Sequence, residues 1–389
     1  MMVQWWYSLD GKLMELKNAP IGRASYDPVS NHGNVRRIAI ATTNRCQARC
    51  AHCLMNSGPT GTEELTASEM IGIIDYYASN TPLKLVAFTG GESTLLGDSL
   101  LEAISYCSEQ GIMSRLVTNA SWAEDQISAE STVFELRNAG LTEINYSTDD
   151  FHSVWIPLAN VKRAWNASKG QGFETVLIAV CSGPRSKITP MSVSEFLGEQ
   201  IPIVESLDRG DDNLPEPAED GTRYLISQSA ISRLGRGRRL RSEYFGSHEE
   251  FNLSKLYGGC PALMDPPTVN ADGTVGVCCG TNTEHNSILT IGDIQELMSN
   301  GSYDVDEFQG LILHAIRTLG PTYLYHLATE SATSVRRTKA MSVCEICERL
   351  TGDRALIDVL YDKRELIEQQ IEQHYRVCKL FGWTRGRCR

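Results

Sequence analysis

Residues 41–53 read Ala41-Thr42-Thr43-Asn44-Arg45-Cys46-Gln47-Ala48-Arg49-Cys50-Ala51-His52-Cys53, a C-x3-C-x2-C run. It follows Val35 to Thr42, which reads as a strand, so the three cysteines sit on a loop at a strand end. Three thiolates on one short loop can hold three corners of a four-iron cube, whose irons are normally bound by cysteine sulfur. The fourth iron then has no protein ligand and can bind a small molecule. The competing reading is zinc, but structural zinc sites prefer four ligands, often as two C-x2-C pairs. His52 is adjacent to Cys53 and poorly placed to complete such a set on the same ion.

Working outward, residues 35–228 alternate β-rich runs with helical stretches. Strands are expected at Val35 to Thr42, Leu83 to Phe88, Ile112 to Val117, Thr142 to Ser147, Glu174 to Val180 and Arg223 to Ser227. Thr66-Ala-Ser-Glu69 is a capping box, and Met70, Ile73, Ile74 and Tyr77 follow at helical spacing. Leu100, Ile104 and Cys107 mark the next helix, and Gly140 is a helix stop. Six strand–helix units imply an α/β fold with a parallel sheet. Leu207 to Gly221, acidic and with Pro215 and Pro217, reads as a solvated loop before the sixth strand.

Each strand end carries chemistry. The second is followed by Gly90-Gly91-Glu92, where small residues allow close approach and a carboxylate can accept from an ammonium group. The third ends in Thr118-Asn119-Ala120, the fourth in Ser147-Thr148-Asp149-Asp150-Phe151-His152. Asp150 and His152 are candidate bases or substrate ligands; capping the next turn is the plainer role for each. After the sixth strand comes Ser232-Arg-Leu-Gly235-Arg236-Gly237, which a solvated basic loop would also explain.

Together these motifs resemble the radical S-adenosylmethionine (radical SAM) superfamily. The resemblance implies a partial (β/α)6 TIM-like barrel with its site at the C-terminal strand ends. It implies a [4Fe-4S] cluster on Cys46, Cys50 and Cys53, with S-adenosylmethionine (SAM) on the open iron. It also implies that Gly90, Gly91 and Glu92 meet the SAM amine, that Ser147 and Asp149 lie near its carboxylate and ribose, and that His52 lies near its adenine. Asn119 and Arg236 complete the expected cofactor-binding set. Two departures are Ala120, where the family often has glycine, and His52, where it usually has an aromatic residue.

The C-terminal part is cysteine-rich. Cys260 precedes Thr268-Val-Asn-Ala-Asp-Gly-Thr-Val-Gly-Val-Cys278, a hairpin with an Asp-Gly turn, and Cys344-Glu-Ile-Cys347 comes later. This resembles the SPASM extension of radical SAM enzymes, in its shortened Twitch form. The resemblance implies one auxiliary [4Fe-4S] cluster on Cys260, Cys278, Cys344 and Cys347. A zinc ion on the same four cysteines fits the count equally. Cys279 could replace Cys278. The spare neighbour, or Cys181 at the fifth strand end, could donate a hydrogen atom to a substrate radical; an inert buried thiol is the plainer role. Asp353 to Leu380 reads as a terminal amphipathic helix with Leu356, Leu360, Ile367 and Ile371 on one face. The expected division is an N-terminal segment, 1–34, the partial barrel, 35–245, and the auxiliary-cluster domain with its helix, 246–389.

The chain has 389 residues, 41% hydrophobic and 22% charged, ordinary for a soluble protein. Its net charge of −12 argues against nucleic acid as a partner. The N-terminus lacks a secretory pattern and no apolar run is long enough for a membrane, so twelve cysteines point to metal or redox chemistry in the cytoplasm. The expected activity is hydrogen abstraction by a 5'-deoxyadenosyl radical, fed by flavodoxin or ferredoxin, from a ribosomally made peptide. Cross-linking, dehydrogenation or epimerisation could follow. Residues 1–34 suggest no separate leader-binding domain, which weighs against the peptide. Oxidation of a small molecule such as a sugar or cyclitol is the alternative. A non-enzymatic metal-binding protein is the reading of another class.

Overall fold

Alternating burial along the strands shows how the sheet is used. In the computed structural model, residues 35–205, 214–245, 258–281, 286–303, 305–331 and 342–380 are described. Residues 1–34, the acidic positions 208, 211 and 212, and the basic tail 384–389 lie outside them.

The first five strands are β1 (Arg37–Thr43), β2 (Leu85–Gly90), β3 (Met113–Thr118), β4 (Glu143–Thr148) and β5 (Thr175–Ser182). Between them run α1 (Ala67–Asn80), α2 (Asp98–Glu109), α3 (Gln126–Asn138) and α4 (Leu158–Ser168); α5 (Pro190–Leu197) follows β5. Two further strands, β6 (Ile203–Glu205) and β7 (Arg223–Ala230), complete this part. The strands β1-β2-β3-β4-β5-β7-β6 lie side by side in parallel. All six expected strands form and make the partial barrel. The three-residue β6 was not expected; it pairs outside β7 as an edge.

Successive side chains on a strand point to opposite faces. Val86, Phe88, Leu116, Ile144, Tyr146, Val176, Ile178 and Ile226 are sealed from water and share one core with helix residues Met70, Ile104, Val133 and Trp165. The opposite, inner face carries Ala87, Thr89, Val117, Asn145, Ser147 and Ala179, all half-exposed. It also holds the register pair Arg115 and Glu143, linked at 2.5 Å. The outer face therefore pays for folding, and the inner face is left polar and small.

The C-terminal part continues the same sheet. β8 (Thr268–Val269) pairs in parallel with β1, and β9 (Thr274–Gly276) and β10 (Thr290–Asp293) follow in antiparallel. The expected hairpin is present, with Gly273 at φ +86° in its turn. Then come α6 (Ile294–Asn300), α7 (Glu307–Thr318), α8 (Pro321–Ser331), α9 (Val343–Gly352), α10 (Arg354–Asp362) and α11 (Arg364–Leu380). The single terminal helix expected from Asp353 to Leu380 is thus two, broken at Lys363, whose Nζ donates to the Leu327 carbonyl at 2.7 Å. The expected apolar face survives the break: Leu356, Leu360, Ile367 and Ile371 are all buried. No helix among the described residues is long and apolar enough to cross a membrane.

Candidate active site

The cysteine loop is pinned to the strand end by backbone hydrogen bonds at its start. Cys46 N donates to Gly58 O at 3.0 Å, and Asn44 N to Glu63 O at 3.1 Å, so the returning segment 58–65 closes the loop. The glycine pair packs against it. Gly91 N and Glu92 N donate to Thr43 O and Arg45 O at 2.6 and 2.9 Å. A Cβ on Gly90 would stand 2.6 Å from Thr43 O, and one on Gly91 would collide with Arg45 O. In this structure the close approach that the glycines allow is to the backbone of the cysteine loop.

Glu92 is buried, and its carboxylate accepts from Thr94 Oγ1 at 2.7 Å, Thr118 Oγ1 at 2.6 Å and Asn119 N at 2.8 Å. Burial raises its pKa above the usual carboxylate range despite these donors. Asn119 turns its Nδ2 to Cys46 Sγ at 3.5 Å. Ala120 holds φ +57°, the left-handed conformation that glycine would adopt more easily.

Asp149 is 1% exposed and gathers the rest. Its Oδ2 lies 2.9 Å from His52 Nε2 and 3.0 Å from His152 Nδ1. Its Oδ1 accepts from the amides of Phe151 and His152 at 2.8 and 2.9 Å. Burial favours the neutral acid, but hydrogen bonds and charge from His152 and His52 outweigh it and hold the carboxyl well below its usual range. Burial opposes the His152 imidazolium, yet bonds to Asp149 and to the Cys50 side chain lift it to about 10. His52 stacks on Phe151, ring centroids 4.6 Å apart. Cys181 joins this group: its sulfur, a His52 nitrogen and an Asp149 oxygen lie within 4.8 Å of one another. Burial pushes the Cys181 thiol up to about 12.

Two expected residues serve the framework here. Asp150 spends both oxygens on the amides of Lys187 and Ile188, at 2.7 and 3.0 Å, and so ties β4 to the start of α5. Arg236 donates its Nε to Cys50 O at 2.9 Å and its amide to Cys53 O at 3.0 Å. Gly235, φ +50°, rests where a Cβ would collide with the Leu54 carbonyl. Ser147 is on the inner face, half-buried, opposite Ala179.

The first thiol set suits a metal cluster by its chemistry. Burial pushes Cys46 up to about 12, and Glu92, Cys50 and Cys53 add to it. Buried neighbouring thiols keep their protons until a cation stabilises the thiolates. The same holds at the second set. Cys347 is raised well above a free thiol, first by burial and then by Cys278, Cys260 and Cys344 beside it. The four expected ligands are therefore together, Cys344 and Cys347 in the first turns of α9, where a helix N-terminus favours thiolate. Cys278 is half-buried near them, whereas Cys279 is exposed. Gly280 lets this segment close on α9: a Cβ there would lie 3.1 Å from Cys344 Sγ.

Sequence reasoning missed Phe151, Thr118, Glu345 and Glu348. Aromatic stacking on His52 and the burial of two acids beside Cys344 and Cys347 have no local sequence signal.

Residues 40–180 match the family model of the Radical SAM superfamily. That stretch carries the three-cysteine loop and the strand ends that converge on it, so this part of the chain is a radical SAM domain. The chain is 22% identical over 134 residues to YydG of Bacillus subtilis, a protein named for peptide biosynthesis, covering 34% of this chain and 42% of that one. It is 26% identical over 183 residues to a GTP 3',8-cyclase of Rhodococcus opacus, covering 45% and 48%. The chain thus spans less than half the length of these relatives. The crystal structure of BtrN in complex with AdoMet and 2-DOIA aligns with a TM-score of 0.42 at 11% identity, over 79% of this chain and 96% of that one.

Proposed function

We propose that the chain binds a [4Fe-4S] cluster on Cys46, Cys50 and Cys53, with SAM beside it, and modifies a ribosomally made peptide. When bound, the cluster supplies an electron that cleaves SAM to a 5'-deoxyadenosyl radical, which abstracts hydrogen from the substrate. The observation that carries the site is the convergence of the cysteine loop, Asn119, Asp149 and both histidines on one end of the sheet. Asp149 orients His52 and His152, Asn119 donates toward Cys46, and Arg236 braces the loop backbone. Ser147 and the inner-face residues Asn145 and Ala179 line the side a substrate would approach.

The peptide reading is supported by the likeness to YydG. The second reading is oxidation of a small molecule such as a sugar or cyclitol; the likeness to GTP 3',8-cyclases, whose named substrate is a small molecule, favours that class of substrate. In an oxidative reaction of either kind, Cys260, Cys278, Cys344 and Cys347 would hold an auxiliary [4Fe-4S] cluster able to accept the substrate electron. Residues 35–245 and 246–389 then form the catalytic barrel and the auxiliary-cluster part. A flavodoxin or ferredoxin in the cytoplasm reduces the first cluster.

The test is anaerobic incubation of the reduced, reconstituted protein with SAM and candidate peptides or sugars, read by mass spectrometry. Formation of 5'-deoxyadenosine with loss of two hydrogens from a peptide supports the oxidative reading. Deuterium uptake without that loss indicates epimerisation. Change confined to sugars defeats the peptide. The Cys46, Cys50 and Cys53→Ala triple variant should make no 5'-deoxyadenosine yet keep iron and sulfide at the second set. A second set holding zinc, or no metal, removes the auxiliary cluster.

A further inference from the structure

The segment Ser232–Arg238 bonds to the first cysteine loop and to α9, the helix that carries Cys344 and Cys347. On one side it holds the Cys50 and Cys53 carbonyls through Arg236. On the other, the Arg233 amide donates to Glu345 Oε1 at 2.6 Å, and the Arg238 guanidinium pairs with Glu348 Oε1. Glu345 directly follows Cys344 and Glu348 directly follows Cys347 on α9. Both acids are buried, at 8% and 5% exposure. Glu348 Oε2 is shielded from solvent with no hydrogen-bond partner among the described residues.

A buried carboxylate is costly, and an apolar residue in its place is often as stable or more so. Packing therefore does not account for two acids inside α9, each next in sequence to a cysteine of the second set. Charge does. One-electron reduction adds a negative charge to an iron–sulfur centre, and cluster potentials follow the net charge, hydrogen bonding and exposure around them. The Glu348 charge opposes reduction of a neighbouring centre, and Arg238 offsets Glu348.

We propose that Glu348 and Arg238 are positioning residues that set the reduction potential of the centre on Cys260, Cys278, Cys344 and Cys347. The strap that supplies Arg238 is also the one that braces the first cysteine loop, so the two centres share one support. This inference rests on the auxiliary-cluster reading above.

The experiment is a redox titration, followed by electron paramagnetic resonance, of the full-length reconstituted protein and its Glu348→Gln, Arg238→Gln and Arg238→Lys variants. Glu348→Gln should raise the potential of the second centre by roughly a tenfold shift in its one-electron equilibrium, about 59 mV. Arg238→Gln should lower it, by less, because the Arg238 side chain is 59% exposed and solvent screens it. Arg238→Lys should stay near the parent. Opposite signs from the two Gln variants are what a merely structural contact cannot produce. Potentials that do not move, or that move the same way, overturn the proposal. So does loss of iron in both Gln variants that Arg238→Lys shares. Iron and sulfide analysis of the Cys46, Cys50 and Cys53→Ala variant keeps the two ideas apart. An absent second cluster there defeats the underlying reading; a cluster present with unshifted potentials defeats only this inference.

Discussion

Asp149 shows how much a single side chain organises. It is enclosed, yet it serves two imidazoles and two backbone amides. Removing one partner of a buried charged group leaves the others uncompensated, at about 3 kcal/mol. Asp149→Asn should therefore lower unfolding stability by about that amount and sharply reduce SAM cleavage. Urea unfolding and 5'-deoxyadenosine yield check both; an unchanged urea midpoint would mean that the histidines do not depend on this carboxylate. At this scale the meeting of the cysteine loop with His52, Asn119 and Asp149 was legible from their places at strand ends. The partners of Asp150 and Glu92 were not, because which amide or hydroxyl a carboxylate meets is decided by tertiary packing.

At the scale of elements, the glycines divide by what surrounds them. Gly91 lies against the Arg45 carbonyl, a backbone atom that cannot swing aside. Gly91→Ala should displace the cysteine loop, cost roughly 2 kcal/mol as overpacking does, and lower iron at the first site. Gly72, inside α1, faces only the flexible end of Met298 at 3.4 Å. Gly72→Ala should instead stabilise the protein by about 0.5–1 kcal/mol, since glycine weakens a helix interior. Thermal unfolding with iron analysis decides both, and equal effects would refute the contrast. The six main strands and α1 to α3 were readable because their apolar periods and caps are local. β6 is too short to carry a period. The break at Lys363 depends on a contact with α8 that lies 36 residues away.

For the whole molecule, the sequence division at residue 245 meets a continuous sheet. β8 pairs with β1, and Tyr303, beyond α6, shares a 2.6 Å hydroxyl contact with Tyr77 on α1. Without β8, β1 becomes an open edge, a hazard for association. A fragment of residues 35–245 should therefore lack a cooperative unfolding transition, whereas the full chain shows one; calorimetry of a soluble, cooperative fragment would contradict this. No local pattern near Thr268 names β1 as its partner, which is why the hairpin was legible and its place in the sheet was not.

That pairing also sets an order of events during synthesis. Arg37 at the foot of β1 meets Asp265, 228 residues further along, and such distant contacts form late because loop closure must come first. The ribosome releases β1 and its cysteine loop well before the flanking strand β8, which lies far downstream at Thr268–Val269. Iron delivered before then would meet a loop with one side of its scaffold missing. Stable metal loading at this loop is expected only once β8 has been made and has paired with β1.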